Sequence, residues 1–311
     1  MDKQNLIECH ERIKPFIHNT PVLTSKLIDA FLGAKVFFKC ENFQKMGAFK
    51  MRGATNAIMQ LSQTQRKNGV VTHSSGNFAQ ALSLAAQSLG VKAFIVMPNT
   101  APQVKKDAVK GYGGIVTECA PNLAAREQTS KAIETREGAT FIHPSNDDEV
   151  ILGQGTACKE LLELCPDLDF VCTPVGGGGL IAGTALAAHY FGNNCKVIGG
   201  EPLEVDDAYR SLQSGTIETN TSTNTIADGL KTQLGDRNFP IIQKHVDEII
   251  RVTEEEIIAA MRLIWERLKV VCEPSSSVAL AALIKDKEKF QGKHVGVIIS
   301  GGNVDLGNLP F

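Results

Sequence analysis

The chain has 311 residues, 43% hydrophobic, 21% charged and 6% aromatic, with a formal net charge of −2. That length supports a large core in one or two domains, and the near-neutral charge excludes the basic surface of a nucleic-acid binder. No apolar run is long enough to span a bilayer, and the polar first twelve residues lack the apolar core of a secretory signal, so a cytosolic protein with no membrane partner is expected.

Strand-like and helix-like segments alternate along most of the chain, the pattern of an α/β protein with a largely parallel sheet. Residues 36–39 read as a strand, 49–61 as a helix, and 69–72 as a strand. The helix 78–89 ends at Gly90, a plausible C-cap. Residues 93–97 form a strand stopped by Pro98, 102–110 a helix ending at Gly111, 115–117 a strand, 122–135 a helix, and 141–142 a last short strand. Residues 69–146 therefore hold a compact set of strand–helix units, a smaller domain in its own right. A helix over 153–164 follows, then the buried strand 170–175. Residues 180–190 read as a helix and 196–199 as a strand. The Ser/Thr/Asn-rich stretch 211–227 reads as a loop. Thr253 with Glu256 three residues on is a capping box opening a helix that runs to Leu268. Residues 275–285 form a small-residue helix and 295–300 a final buried strand. The eight cysteines contain no C-x-x-C pair, so Cys158, Cys165 and Cys172 are expected as buried or incidental thiols.

Four places carry chemistry. Gly176, Gly177, Gly178 and Gly179 lie between a strand and a helix, where glycine permits close approach and the helix N-terminus offers free N–H groups to a phosphate. No Lys-Ser or Lys-Thr follows, which excludes a P-loop; Gly177, Gly179 and Ala182, with Glu201 downstream, also fit a dinucleotide fingerprint. Lys50 sits among small residues beside Phe49 and Arg52, and both an apolar setting and a neighbouring cation favour the neutral, nucleophilic amine. Ser74, Ser75, Gly76 and Asn77 offer hydroxyls and an amide at a helix start, suited to a carboxylate or to simple capping. Ser300-Gly301-Gly302-Asn303 closes the last strand at the carboxyl edge, where ligands of α/β sheets collect.

Together, Phe49-Lys50 with Arg52-Gly53, Ser74-Ser75-Gly76-Asn77, the tetraglycine and Ser300-Gly301-Gly302-Asn303 resemble the fold-type II pyridoxal-phosphate enzymes, in particular the serine racemase and serine/threonine dehydratase group. The resemblance extends over nearly the whole chain, through His143-Pro144, Gly153-Gln154-Gly155-Thr156, Ala227-Asp228-Gly229 and Glu273-Pro274. It implies a tryptophan synthase β-like α/β fold with two doubly wound open-sheet domains and the active site in the cleft between them. Residues 1–68 and 147–311 would form the large cofactor-binding domain, and 69–146 the small substrate-binding one. The dinucleotide fingerprint explains only one of the four motifs; a catalytically silent cofactor-binding protein is the other alternative.

The resemblance also assigns roles. Lys50 would hold pyridoxal 5′-phosphate and then handle the substrate's α-proton, with Ser75 as the acid/base on the opposite face. Gly176 to Gly179 and Leu180 would grip the phosphate, Ser300 would meet the ring nitrogen, Asn77 the ring hydroxyl, and Phe49 would pack against the ring. Ser74 to Asn77, with Arg126, would receive the substrate carboxylate. Glu201, Val205 and Asp207 would hold Mg²⁺, or Ca²⁺ or Mn²⁺ in its place. The group's nucleotide-effector site maps onto Ser25, Lys26, Leu27, Lys45, Met46 and Tyr112, implying ATP, although Lys26 and Met46 replace hydroxyl residues of that pattern. Phe78 and Ser145 are further departures, Ser145 being expected at the substrate's distal end, where its hydroxyl could welcome a second carboxylate. The implied activity is racemisation of serine with accompanying dehydration to pyruvate, in a homodimer. Dehydration of threonine or 3-hydroxyaspartate and racemisation of aspartate are the alternatives on the same scaffold.

Overall fold

A computed structural model describes all 311 residues, Met1 to Phe311. Its strands are β1 (Val22–Leu23), β2 (Lys35–Cys40), β3 (Val70–His73), β4 (Ala93–Pro98), β5 (Ile115–Cys119), β6 (Thr140–Phe141), β7 (Phe170–Pro174), β8 (Lys196–Pro202), β9 (Glu248–Val252) and β10 (His294–Ile299). They sort into a six-stranded sheet ordered β1-β2-β10-β7-β8-β9 and a four-stranded sheet ordered β5-β4-β3-β6. Only the β1–β2 pair is antiparallel; every other pairing is parallel.

A parallel sheet covered by helices on both faces needs strands that are apolar on both sides. The final strand shows how. Val295, Val297 and Ile299 pack into one core with the helices Glu254–Leu268 and Pro274–Lys285. Ile298 joins the other core, and Gly296 meets Leu161 and Leu168 on that same side. Successive side chains alternate faces, so an unbroken apolar run fills two cores. No helix is long and apolar enough to cross a membrane.

On the second face three helices stack through glycines. The helix Asp148–Leu164 lies between Lys50–Met59 and Gly179–Phe191. A Cβ on Gly153 would stand 2.5 Å from Gly53 Cα and 2.7 Å from the Arg52 carbonyl oxygen, and one on Gly155 would stand 2.7 Å from the Gly183 carbonyl oxygen. These helices touch backbone to backbone.

Several segments depart from the sequence expectation. The helix expected from 153 begins at Asp148, because Asp147 accepts from the Glu149 and Val150 amides and caps it. Ser211, expected in a loop, lies inside the helix Asp207–Ser214; only the stretch after it lacks regular structure until Asp228. The polar N-terminus forms the helix Lys3–Ile13, whose buried Leu6, Cys9 and Ile13 follow helical spacing. The helices Lys26–Leu32, Gln63–Asn68 and Phe239–His245 and the strand β9 were also not anticipated. All eight cysteines are free thiols.

Adding a methyl at the tightest of these contacts has no room to relax. Gly153→Ala should cost about 1–3 kcal/mol as an overpacked core site, read by urea unfolding. Gly111→Ala, with open space around it, serves as the near-neutral control.

Candidate active site

The motifs singled out in the sequence converge where the two sheets present their carboxyl ends. Backbone contacts tie two of them together: the Phe49 amide donates to the Ser300 carbonyl (2.9 Å), Gly302 N donates to Gly47 O (2.9 Å), and Ala48 bridges Gly301. Lys50 opens its helix directly after this junction.

The Lys50 amine donates to the Pro144 carbonyl oxygen at 2.8 Å, and its Nζ stands 5.0 Å from the Phe49 ring centre and 5.7 Å from that of Phe78. Burial lowers its pKa from 10.5 to about 8, with the Glu273 charge working the other way. Arg52 plays no part in this shift, contrary to the expectation from its position two residues along. It projects into the core, where Glu41 and Glu160 neutralise it.

Each glycine of the tetraglycine has its own packing reason. A Cβ on Gly176 would meet Leu230 Cα at 2.8 Å, on Gly177 the Ser145 Oγ at 2.4 Å, on Gly178 the Asn238 Oδ1 at 2.7 Å, and on Gly179 the Ser145 carbonyl oxygen at 2.9 Å. Gly178 is also left-handed, at φ +79°, as N-cap of the helix Gly179–Phe191. The buried Asn238 amide donates to the Gly177 carbonyl (2.9 Å) and the Ser145 carbonyl (3.2 Å), tying the glycine loop to the turn after Pro144. Free amides at a helix start behind a backbone with no side chains fit a phosphate. Ser145 is buried against this loop rather than standing at a distal end of the cleft.

Ser300 Oγ lies 3.0 Å from Ser276 Oγ, which also exchanges two 2.7 Å hydrogen bonds with Gly301. A neutral hydroxyl held in this way fits an aromatic nitrogen. Asn77 donates to both Glu273 oxygens (2.9 and 3.1 Å) and accepts from Asn303 Nδ2 (2.9 Å). Burial pushes the Glu273 carboxyl up to about 7. In sequence Glu273 stands out only as part of the Glu273-Pro274 motif, and nothing local distinguishes Ser276 or Asn238 from capping residues.

Ser74, Ser75 and Gly76 form the half-buried turn after β3. Arg126 lies on the neighbouring helix Leu123–Glu137, its buried Nε without a partner, and its charge helps lower the His73 pKa. His143 Nδ1 accepts from the Ser145 and Asn146 amides, so its proton is on Nε2. Burial, with His73 and Lys50 nearby, depresses its pKa to about 4.

Glu201 and Asp207 are both buried beside Val205. Glu201 accepts from the Ala208 and Tyr209 amides (3.0 and 2.8 Å), Asp207 from the Leu234 amide (3.0 Å). Burial raises both carboxyls and Asp207 pushes Glu201 higher still; Asp207 itself reaches about 6. Two carboxylates converge here, and no group of three or more His, Cys, Asp or Glu side chains does so anywhere. Asp206 is engaged elsewhere, by Arg210 and Arg251. Of the expected nucleotide positions, Ser25 and Met46 are buried and Leu27 is exposed. No hydrogen bond or ion pair joins the Ser25–Leu27 group to Lys45, Met46 or Tyr112.

A family model described as pyridoxal-phosphate dependent enzyme matches residues 13–301. The β-hydroxyaspartate dehydratase of Paracoccus denitrificans is 49% identical over 308 residues, covering 99% of this chain and 98% of that one. The serine racemase of Dictyostelium discoideum is 50% identical over 310 residues, 98% of this chain and 96% of its own. Its crystal structure superposes with a TM-score of 0.95 over 98% of this chain and 99% of that one. The two-sheet architecture is thus that of the fold-type II enzymes.

The neutral Lys50 amine becomes more abundant as pH rises through about 8. The rate at which cofactor-free protein covalently captures pyridoxal phosphate, followed by absorbance, should therefore climb with a midpoint near pH 8 rather than 10.5.

Proposed function

We infer the function from one premise: the chain belongs to the pyridoxal-phosphate dependent enzyme family. It interconverts L-serine and D-serine and also dehydrates serine to pyruvate and ammonia. The observation that carries this reading is the half-buried Lys50 amine, close to the Phe49 and Phe78 rings, donating to the Pro144 carbonyl and tuned towards its neutral form. The serine racemase relatives support the choice of substrate.

Pyridoxal phosphate, when bound, supplies a sink for the electron pair left at Cα once the α-proton departs. This chain's residues do the rest. The backbone amides of Gly176 to Leu180 hold the phosphate, Phe49 packs on the ring, and Asn77 serves the ring hydroxyl. Ser300 would offer the ring nitrogen a neutral hydroxyl, leaving the ring less electron-withdrawing than if a carboxylate kept that nitrogen protonated. Ser74, Gly76 and Asn77, with Arg126, orient the substrate carboxylate. Lys50 Nζ removes or returns the α-proton on one face, and Ser75 Oγ does so on the other; removal from one face and return from the opposite one inverts Cα. In the competing outcome the β-hydroxyl leaves with a proton as water, and hydrolysis of what remains releases ammonia and pyruvate.

Residues 1–68 and 147–311 act as the cofactor-bearing body and 69–146 as the substrate-binding unit. Glu201, Asp207 and the Val205 carbonyl would hold Mg²⁺, whose charge would favour the ionised form of two carboxyls that burial raises. ATP as an effector has the weakest support, since Lys26 and Met46 depart from the expected pattern. A cytosolic homodimer belongs to the same reading; Leu27 and Phe31, one helical turn apart and more than half exposed, are apolar surface that a second copy can cover. Dehydration of 3-hydroxyaspartate is the second reading, favoured by the 49% identity to the Paracoccus enzyme.

Chiral analysis of the products from L-serine tests the two-base scheme. Wild type should give D-serine and pyruvate, whereas Ser75→Ala should lose about 100-fold or more of racemisation, the contribution of one acid/base, while still forming pyruvate. No D-serine from wild type sinks the racemase reading in favour of dehydration. For the metal, Mg²⁺ should raise the melting temperature at pH 7.5, Asp207→Asn should abolish that rise, and the rise should shrink below pH 6 as protons compete for Asp207.

A further inference from the structure

We propose that Arg52 is a positioning residue for Lys50, fixing the roll and depth of the Lys50 helix against the helix Asp148–Leu164. The proposal rests on the reading of Lys50 as the lysine that carries the cofactor.

Two residues along an α-helix turn the side chain through about 200°. Lys50 therefore faces the cleft while Arg52 faces the core, where it is fully buried. Every N–H of its guanidinium is used. Nε donates to Glu41 Oε2 (2.7 Å), and Nη2 to Glu41 Oε1 (2.8 Å) and Glu160 Oε2 (2.7 Å). Nη1 donates to Glu160 Oε1 (2.8 Å) and Thr156 Oγ1 (3.0 Å). Both carboxylates are gripped by paired parallel bonds, which a planar fork can make and an ammonium cannot.

The two anchors come from different elements. Glu41 follows β2, and Glu160 and Thr156 lie on the helix Asp148–Leu164. Glu160 also accepts from Lys39 Nζ (2.7 Å) and from His10 Nε2 (3.0 Å), while Thr20 Oγ1 donates to Glu41 (2.5 Å). Lys159 Nζ lies 3.1 Å from His10 Nδ1, which makes His10 the Nε2–H tautomer, with Nδ1 accepting. The anchors are themselves anchored.

Stability alone is a poor explanation for such a site, since apolar residues of equal volume are often as stabilising as a buried ion cluster. What apolar packing does not supply is a single rotational setting. The Gly53–Gly153 contact sets the distance between the two helices, and Asn56, donating to the Glu149 carbonyl (2.8 Å) and carboxylate (2.9 Å), ties them about two turns from Lys50. The five Arg52 bonds, two residues from Lys50, set the roll at the end of the helix that carries the amine. The same middle helix touches the glycine-loop helix through Gly155 and Gly183, so the amine is held relative to the phosphate seat.

Two probes separate positioning from folding. Pyridoxine 5′-phosphate lacks the aldehyde and reports only the grip on ring and phosphate; pyridoxal phosphate also requires the Lys50 amine to condense with its aldehyde, releasing one water. Arg52→Lys keeps the charge and loses the fork. It should bind pyridoxine phosphate within about twofold of wild type, while covalent capture of pyridoxal phosphate slows at least about tenfold, as expected for a sub-ångström misplacement. Serine kcat should fall in parallel, with KM little changed. Thr156→Val, which removes one of the five bonds, should show the same split more weakly and decides the matter if Arg52→Lys does not fold. Wild-type capture rates in the folded variants, or equal loss of both probes, overturn the proposal. Capture that persists in Lys50→Ala instead overturns the reading of Lys50.

Discussion

Backbone-to-backbone packing of three helices is the constraint from which the site follows. Gly53 against Gly153 and Gly155 against Gly183 bring the Lys50 helix, the helix Asp148–Leu164 and the glycine-loop helix as close as helices can come. The Lys50 amine and the glycine loop lie on the outer two, nearly 130 residues apart in sequence, and on the proposed reading one cofactor would have to reach both. Interiors are close-packed and resist small displacements, so a stack without intervening side chains sets that reach more sharply than ordinary knobs and grooves.

Charge is distributed in two ways around this stack. On the core side, Arg52, Lys39, Glu41 and Glu160 are buried with their charges matched and their hydrogen bonds made, which is the condition under which buried ions are tolerated. On the cleft side the balance is incomplete. Lys50 feels the Glu273 charge but makes no contact that pairs them, and burial drives the lysine down to about 8 and the glutamate up to about 7. Groups left this way titrate near neutrality, where proton transfer works best. Arg52, paired in the core, and Lys50, unpaired by any carboxylate at the cleft, thus occupy opposite faces of one helix.

Much of this could be read from the chain alone, and the misreadings have physical causes. The four motif regions are legible because each places small or hydroxyl residues beside a strand end or a helix start in contiguous sequence. Arg52 was read as a cation pressing on Lys50, because sequence separation says nothing about the 200° between their side chains until the helix is in place. Ser145 was placed at the far end of the cleft, whereas it packs beneath Gly177 and Gly179. The helices Lys26–Leu32 and Phe239–His245 went unnoticed because they are barely two turns long and too short for an apolar period to declare itself.

By itself the sequence determined the α/β alternation, the glycine loop, the lysine in its small-residue setting and the serine-rich turns, because each depends on neighbours within a few residues. Tertiary structure decided the rest: that Asn238 bonds the glycine loop from 61 residues away, that Ser276 backs Ser300, that Glu273 shares its carboxylate with Asn77, and that Glu41 and Glu160 occupy Arg52. The physical reason is common to all four. A polar side chain finds its partner through folding, and an amide, a hydroxyl or a carboxylate carries no mark in sequence of the distant group whose lone pair or proton it will meet.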